Sequence, residues 1–208
     1  MADQETKDQI LEHASERYLE AGISKVSIDE LAADLGMSKK TVYKFFPGKD
    51  VLLKAIVGLI THRVQKQIQE IVSSDKPFEQ KMTSLLYVIG KLLGRMSRQF
   101  VRDMQRFAPA LWKEIETFRR EHVLSHLREM FKQAKEEKIF REDLNTDLFY
   151  LVFVSSVEAI VNPQVLSENS FSAQEAFRGI LKLLVEGALT KEAKEKYHFF
   201  DEQLDINQ

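Results

Sequence analysis

The sequence predicts an all-α fold: an N-terminal three-helix unit followed by a larger helical body, about nine helices in all. Three observations predict it. Apolar residues recur at three- and four-residue spacing in nearly every segment, and no run alternates as a half-buried strand would. Ser/Thr-x-x-Glu/Gln capping signals stand at Thr6–Gln9, Ser27–Glu30 and Ser172–Glu175. Breakers such as Gly36, Pro47-Gly48, Pro77 and Asn162-Pro163 fall between the periodic runs. No internal repeat or low-complexity tract interrupts the pattern.

The first helix is predicted from Thr6 to about Ala21, with Ile10, Leu11, Ala14, Tyr18 and Leu19 inward. Ser27 and Glu30 cap the second, whose inner face is Ile28, Leu31, Ala32 and Leu35. Gly36 supplies the positive φ at which a helix stops and turns. Ser38 caps the third, with Val42, Phe45 and Phe46 inward and Lys39, Lys40, Thr41, Tyr43 and Lys44 outward. Two short helices across a tight turn form a helix-turn-helix, and the second has the size and chemistry to enter a DNA major groove.

Past Pro47-Gly48 a long helix runs from Lys49 to about Val72 on Leu52, Leu53, Ile56, Val57, Ile60, Val64, Ile68 and Ile71. Its first half closes the small domain and its second enters the next, so one helix couples both. The domains are accordingly expected at 1–55 and 56–200, with a frayed tail at 201–208. Ser73–Pro77 is a stop and restart. Further helices are expected from Phe78 to near Gly94, on to Phe107, and from Pro109 to Glu137. Leu144-Asn145 then introduces a very apolar helix, Leu148 to Val161, and Ser172 starts the last, through about Thr190 and as far as Tyr197.

Charge sharpens the DNA reading. From Gly36 to Lys49 there are four lysines and no acid, whereas the preceding 35 residues carry nine acids against three bases. Phosphate neutralisation is the usual reason for such an island, a solvated lysine face the bland alternative. The chain's net charge is −2, so nucleic-acid binding must come from that island. No stretch approaches the roughly 18 apolar residues that span a bilayer. The N-terminus lacks the basic start and apolar core of a signal peptide, so a cytoplasmic protein is expected. With 0 cysteines there are no disulfides, thiolate nucleophiles or cysteine zinc sites.

The segment resembles the DNA-binding domain of the TetR family of bacterial transcriptional repressors. The residues that carry the likeness are Ala21-Gly22, Ser27-Ile28-Asp29-Glu30-Leu31-Ala32, Gly36-Met37-Ser38, Thr41-Val42-Tyr43-Lys44-Phe45-Phe46, Lys49 and Leu52-Leu53. It covers roughly the first 55 residues closely; the rest agrees only in length and helical character. Lys40 departs from the small residue many members carry there, which affects the base sequence read rather than the family.

Expected DNA contacts are Ser27, Ser38, Lys39, Lys40, Thr41, Tyr43, Lys44 and Lys49. Tyr43 can donate its hydroxyl to a phosphate, and Lys49 opens a helix whose positive dipole end favours one. Lysines and Thr41 are also able to read base edges, guanine and thymine respectively. Ser27 is a cap first; by resemblance its position also touches phosphate. A two-fold dimer would bind an inverted repeat of double-stranded DNA with half-sites a helical turn or more apart.

Helices 146–161 and 173–190 are too apolar for one small domain, so Leu148, Val152, Val157, Phe177, Ile180, Leu181, Leu184 and Val185 are expected at a homodimer interface built as a four-helix bundle. Gly179 and Gly187 suit close approach or plain packing equally. By resemblance these helices are where the family dimerises. The resemblance also implies a cavity for an unknown small-molecule effector, hydrophobic or amphipathic, among Met96, Phe100, Met104, Phe107, Trp112, Phe118, Phe131, Phe149 and Phe153. Aromatics at helical spacing are more often filled core. Arg95, Arg98, Arg102 and Arg106 form a basic face beside them, best read as solvated.

His122 and His126 stand at i, i+4, a chelating spacing, yet without an HExxH motif or a third ligand no metal site is expected, and no cofactor. His13, His62 and His198 have no recognisable partners. An α-helical enzyme is disfavoured, since no Gly-rich phosphate loop, GxSxG or complete ligand set occurs. The expected function is a sequence-specific regulator, a repressor released from its operator by ligand. The alternative is an architectural or partner-recruiting DNA-binding protein without an effector.

Overall fold

The computed structural model describes residues 2–197, with side chains from Asp3 onward. The predicted tail and His198 lie outside the described residues. The helices are α1 (Ala2–Ala21), α2 (Ile28–Asp34), α3 (Lys39–Phe45), α4 (Lys49–Val72), α5 (Phe78–Arg95), α6 (Arg98–Phe107), α7 (Pro109–Phe118), α8 (Ser125–Glu136), α9 (Thr146–Ile160), α10 (Pro163–Glu168), α11 (Ala173–Ala188) and α12 (Lys191–Lys196). A π-helical segment, Arg119–Leu124, joins α7 to α8. The nine expected helices are all present, with 109–136 as one run carrying that π segment. Two short helices join them. Asn162, expected only to end α9, caps α10 with Pro163 at its first position, where proline's missing N–H costs nothing. Thr190 ends the run from α11 and caps α12. Thr6 and Gln9 lie inside α1, which begins four residues before the expected cap, with Asp3 and Glu5 in its dipole-favoured first turn.

The chain divides into two compact units. The first is the chain up to Arg63 together with Arg95–Ile115; the second is Val64–Gly94 with the chain from Glu116 on. The unit that holds the helix-turn-helix thus runs past the expected boundary at 55 and takes in α6. The reason is packing: Ile10, Tyr18, Leu31, Val42, Phe46, Leu52 and Ile56 share one interior with Phe100, Met104 and Trp112. The backbone N–H of Ser97 reaches the carbonyl of Leu19 at 2.8 Å, so the start of α6 closes on the end of α1.

The second unit is built on phenylalanine. Phe131 stands edge-on to Phe149 at 4.8 Å and to Phe153 at 5.8 Å between ring centres. Phe140 meets Phe78 and Phe149 at 5.5 and 5.3 Å. Edge-to-face geometry places positive ring edges on negative faces. Among the described residues the one β-type pairing is the isolated bridge Phe140–Leu189. Arg119, the first residue of the π segment, donates to the carbonyl of Val161 at 2.8 Å, just past the end of α9.

Candidate nucleic-acid interface

The helix-turn-helix is held by three local devices. At the first, the N–H of Ser27 donates to Glu30 Oε2 at 2.7 Å while the N–H of Glu30 donates to Ser27 Oγ at 3.1 Å. This is the capping box expected from sequence, and the backbone bond from Ser27 holds the Glu30 carboxyl below its ordinary pKa. At the second, Gly36 takes φ +63°, with Gly36 N–H on Ala33 and Met37 N–H on Ala32, the paired bonds of a Schellman stop. At the third, Ser38 Oγ accepts from the Thr41 N–H at 3.1 Å and starts α3. Between them, Ile28, Leu31, Ala32 and Val42 are buried, and α3 turns its other side outward.

That outward side carries the expected residues. Lys39, Lys40, Tyr43 and Lys44 are exposed and Thr41 is half-buried, its hydroxyl 2.8 Å from that of Ser38. Tyr43 is 40% exposed, not tucked under the loop. Two of the lysines already have anionic partners. Lys39 Nζ lies 2.7 Å from Asp29, and Lys44 Nζ lies 2.8 Å from Asp3. Bonding to Asp29 pushes the Lys39 ammonium above its ordinary pKa. Charges segregated along the sequence are thus interleaved in space, and Lys40 is the α3 lysine with no ion pair among the described residues.

Lys49 departs from expectation. Its ammonium turns inward, donating to the carbonyl of Val26 at 2.6 Å and lying 5.5 Å from the centre of the Tyr18 ring. Burial pushes its pKa down. A carbonyl acceptor and an aromatic face hold it there, so it ties the loop before α2 to the first turn of α4 and does not present its charge outward.

Asp103, on α6, grips the same loop from the other side. It is 3% exposed and accepts from the Ser24 N–H at 2.6 Å, the Ser24 hydroxyl at 3.1 Å and Gln99 Nε2 at 2.8 Å. Burial acts to raise its pKa, but these bonds outweigh it and hold the carboxyl below its usual value. Gly22 is required beneath it: φ is +93°, and a Cβ there would fall 2.4 Å from Gln99 Cγ and 2.9 Å from Asp103 Oδ2. Sequence reasoning missed Asp103. Its one signal was a lone acid among the four arginines of 95–106, and the partner 79 residues away has no local signature.

The nine pocket candidates are divided between the two units. Phe100, Met104, Trp112 and, half-buried, Met96 belong to the interior of the first unit, and Phe107 is 55% exposed. Phe131, Phe149 and Phe153 fill the second unit's core, while Phe118 is half-buried against His122. The dimer candidates also split. Val157, Phe177, Ile180, Leu181 and Val185 are buried within their own unit and Leu184 is half-buried, because α9 and α11 pack on each other. Leu148 and Val152 remain exposed, joined by Leu151 and Leu183. Gly179 and Gly187 have open space around them. His126 Nδ1 lies 3.0 Å from the carbonyl of His122, and no group of three His, Cys, Asp or Glu able to hold a metal occurs among the described residues.

A capped two-helix turn with an exposed lysine–tyrosine face defines a helix-turn-helix DNA-binding protein. Residues 10–56 match the profile of bacterial regulatory proteins of the tetR family, so this segment is a helix-turn-helix domain of that family's kind. The chain is 24% identical over 168 residues to YvaF of Bacillus subtilis (strain 168), an uncharacterised HTH-type transcriptional regulator, covering 80% of this chain and 87% of that one. The fold is similar to a transcriptional regulator from Cytophaga hutchinsonii ATCC 33406, with TM-score 0.64 at 17% identity over 88% of this chain and 98% of that one. A gamma-butyrolactone receptor (ArpA-like protein) gives 0.63 at 15% identity, covering 100% of both chains. No helix among the described residues is long and apolar enough to cross a membrane.

Proposed function

We propose that the chain is a cytoplasmic transcriptional repressor that binds an inverted repeat as a homodimer and is released by a small-molecule effector. It works by binding, not catalysis. The exposed Lys40–Tyr43 face of α3, on a helix-turn-helix fixed at both ends, carries this reading. Dimerisation is supported by Leu148 and Leu151, each 59% exposed, Val152 at 42% and Leu183 at 78%, all on two helices that pack together. Effector control is supported by the similarity to a gamma-butyrolactone receptor. Effector binding to the second unit stabilises a conformation whose two heads no longer match the half-sites, and operator affinity falls by linkage.

The test is selection of genomic DNA fragments by the purified protein at near-physiological salt, followed by sequencing. One or a few enriched inverted repeats are expected; fragments without a shared motif would sink the operator reading. On the selected DNA, a Lys40→Ala, Tyr43→Ala double variant should bind at least tenfold more weakly, with Lys40 contributing about 0.9 to the salt slope if it meets a phosphate. Unchanged affinity removes α3 as the DNA-contacting face.

A further inference from the structure

The second unit carries an open cleft of about 510 Å³ between the latter half of α4, the 73–77 connection and α5. None of the nine aromatic and methionine pocket candidates lines it. Its walls mix Ile71, Val88 and Tyr87 with the hydroxyls of Ser74, Thr83 and Ser84. Lys81, also in the lining, is only 9% exposed. We propose that this cleft binds a small organic carboxylate with a short apolar body, the carboxylate seated on the Lys81 ammonium.

The argument starts from the cost of that ammonium. Lys81 Nζ donates to the carbonyl of Val72 and to Gln133 Oε1, each at 3.2 Å. Both acceptors are neutral, and no acid among the described residues pairs with Lys81. A neutral donor would satisfy the last carbonyl of α4 equally well; a full positive charge with two neutral partners leaves a third N–H and an unbalanced charge. Glu137, the nearest acid in this network, is engaged by Gln133 Nε2 at 2.6 Å and by the N–H of Phe78 at 3.2 Å. In the lining, Lys76 adds a second cation and Glu70 one acid, leaving net positive charge for a monoanion. Tyr87, 48% exposed, and the half-buried Ile71 and Val88 offer apolar surface to the rest of the molecule. The volume lies within the range of small-molecule sites.

This site deepens the effector reading and rests on it only for any consequence on DNA. Octanoate is the probe, with 1-octanol and inorganic phosphate as controls, titrated into the full chain by calorimetry while the Lys81 ammonium resonance is followed. Octanoate is expected to saturate one site per chain, shift that resonance, and bind at least tenfold more tightly than either control. Lys81→Met should weaken it at least tenfold. Ser84→Phe, which fills the cleft and leaves Lys81 in place, should do the same in a chain whose core is untouched. Equal binding of octanol, or octanoate affinity unchanged in Ser84→Phe, overturns the proposal. Binding of selected operator DNA is measured separately: octanoate that occupies the cleft without releasing DNA upholds the site and removes the effector reading alone.

Discussion

The two units solve the same packing problem with different materials. The first mixes aliphatic side chains with Tyr18, Phe46, Phe100 and Trp112 and places a buried carboxylate, Asp103, against the loop that precedes its helix-turn-helix. The second encloses phenylalanines packed edge to face. A ring cluster supplies stability that depends on volume and shape; a buried carboxylate supplies position, because its bonds hold only in one arrangement. The unit that holds the helix-turn-helix carries the device for position.

Breaking the ring cluster should have the largest effect. Phe131→Ala is expected to cost about 4 kcal/mol by leaving a cavity among Phe140, Phe149 and Phe153, read as a lowered denaturant midpoint. If α3's exposed face is indifferent to it, the two interiors are energetically separate. Asp103→Asn comes next, at about 2 kcal/mol, since it removes a charged acceptor from three donors. Because the folded pKa is depressed, this stability is present above the unfolded value near 4 and is lost as pH falls through the folded value. Acid titration of the wild type against Asp103→Asn should therefore show the difference between them shrinking below about pH 4. An equal gap at pH 2 and pH 7 would refute the carboxylate's role.

Ser27→Ala should cost about 1 kcal/mol, the usual loss of an N-cap, with α2 helicity reduced in exchange measurements. The smallest effect has the opposite sign. Lys138 ends α8 in the left-handed region at φ 58°, the place glycine fills at Gly36. Lys138→Gly should stabilise the second unit by about 0.5 kcal/mol, and a loss instead would mean that the lysine side chain contributes there.

These positions also explain what the sequence revealed. Ser27–Glu30, Gly36 and Ser38 were legible because a cap or a helix stop is decided within a few residues. α10 and α12 were not, since each depends on one cap and six residues without a long periodic run. The inward turn of Lys49 and the clamp by Asp103 lie with partners 23 and 79 residues distant, beyond any local pattern. The family resemblance grouped Phe100 and Phe131 as pocket candidates, although one belongs to the first unit's core and the other to the second's, as their spacing alone favoured.

The acid–lysine pairs on α3 bear on how this protein travels to its site. With Asp29 and Asp3 against Lys39 and Lys44, an approaching duplex would meet a weaker positive field than the lysines of residues 36–49 suggest. On the proposed reading, phosphates in the right register would displace both carboxylates, and the lysines would change partners. On that reading Asp29 and Asp3 are resident competitors for the nucleic acid, which would trade speed of capture for fewer wrong stops.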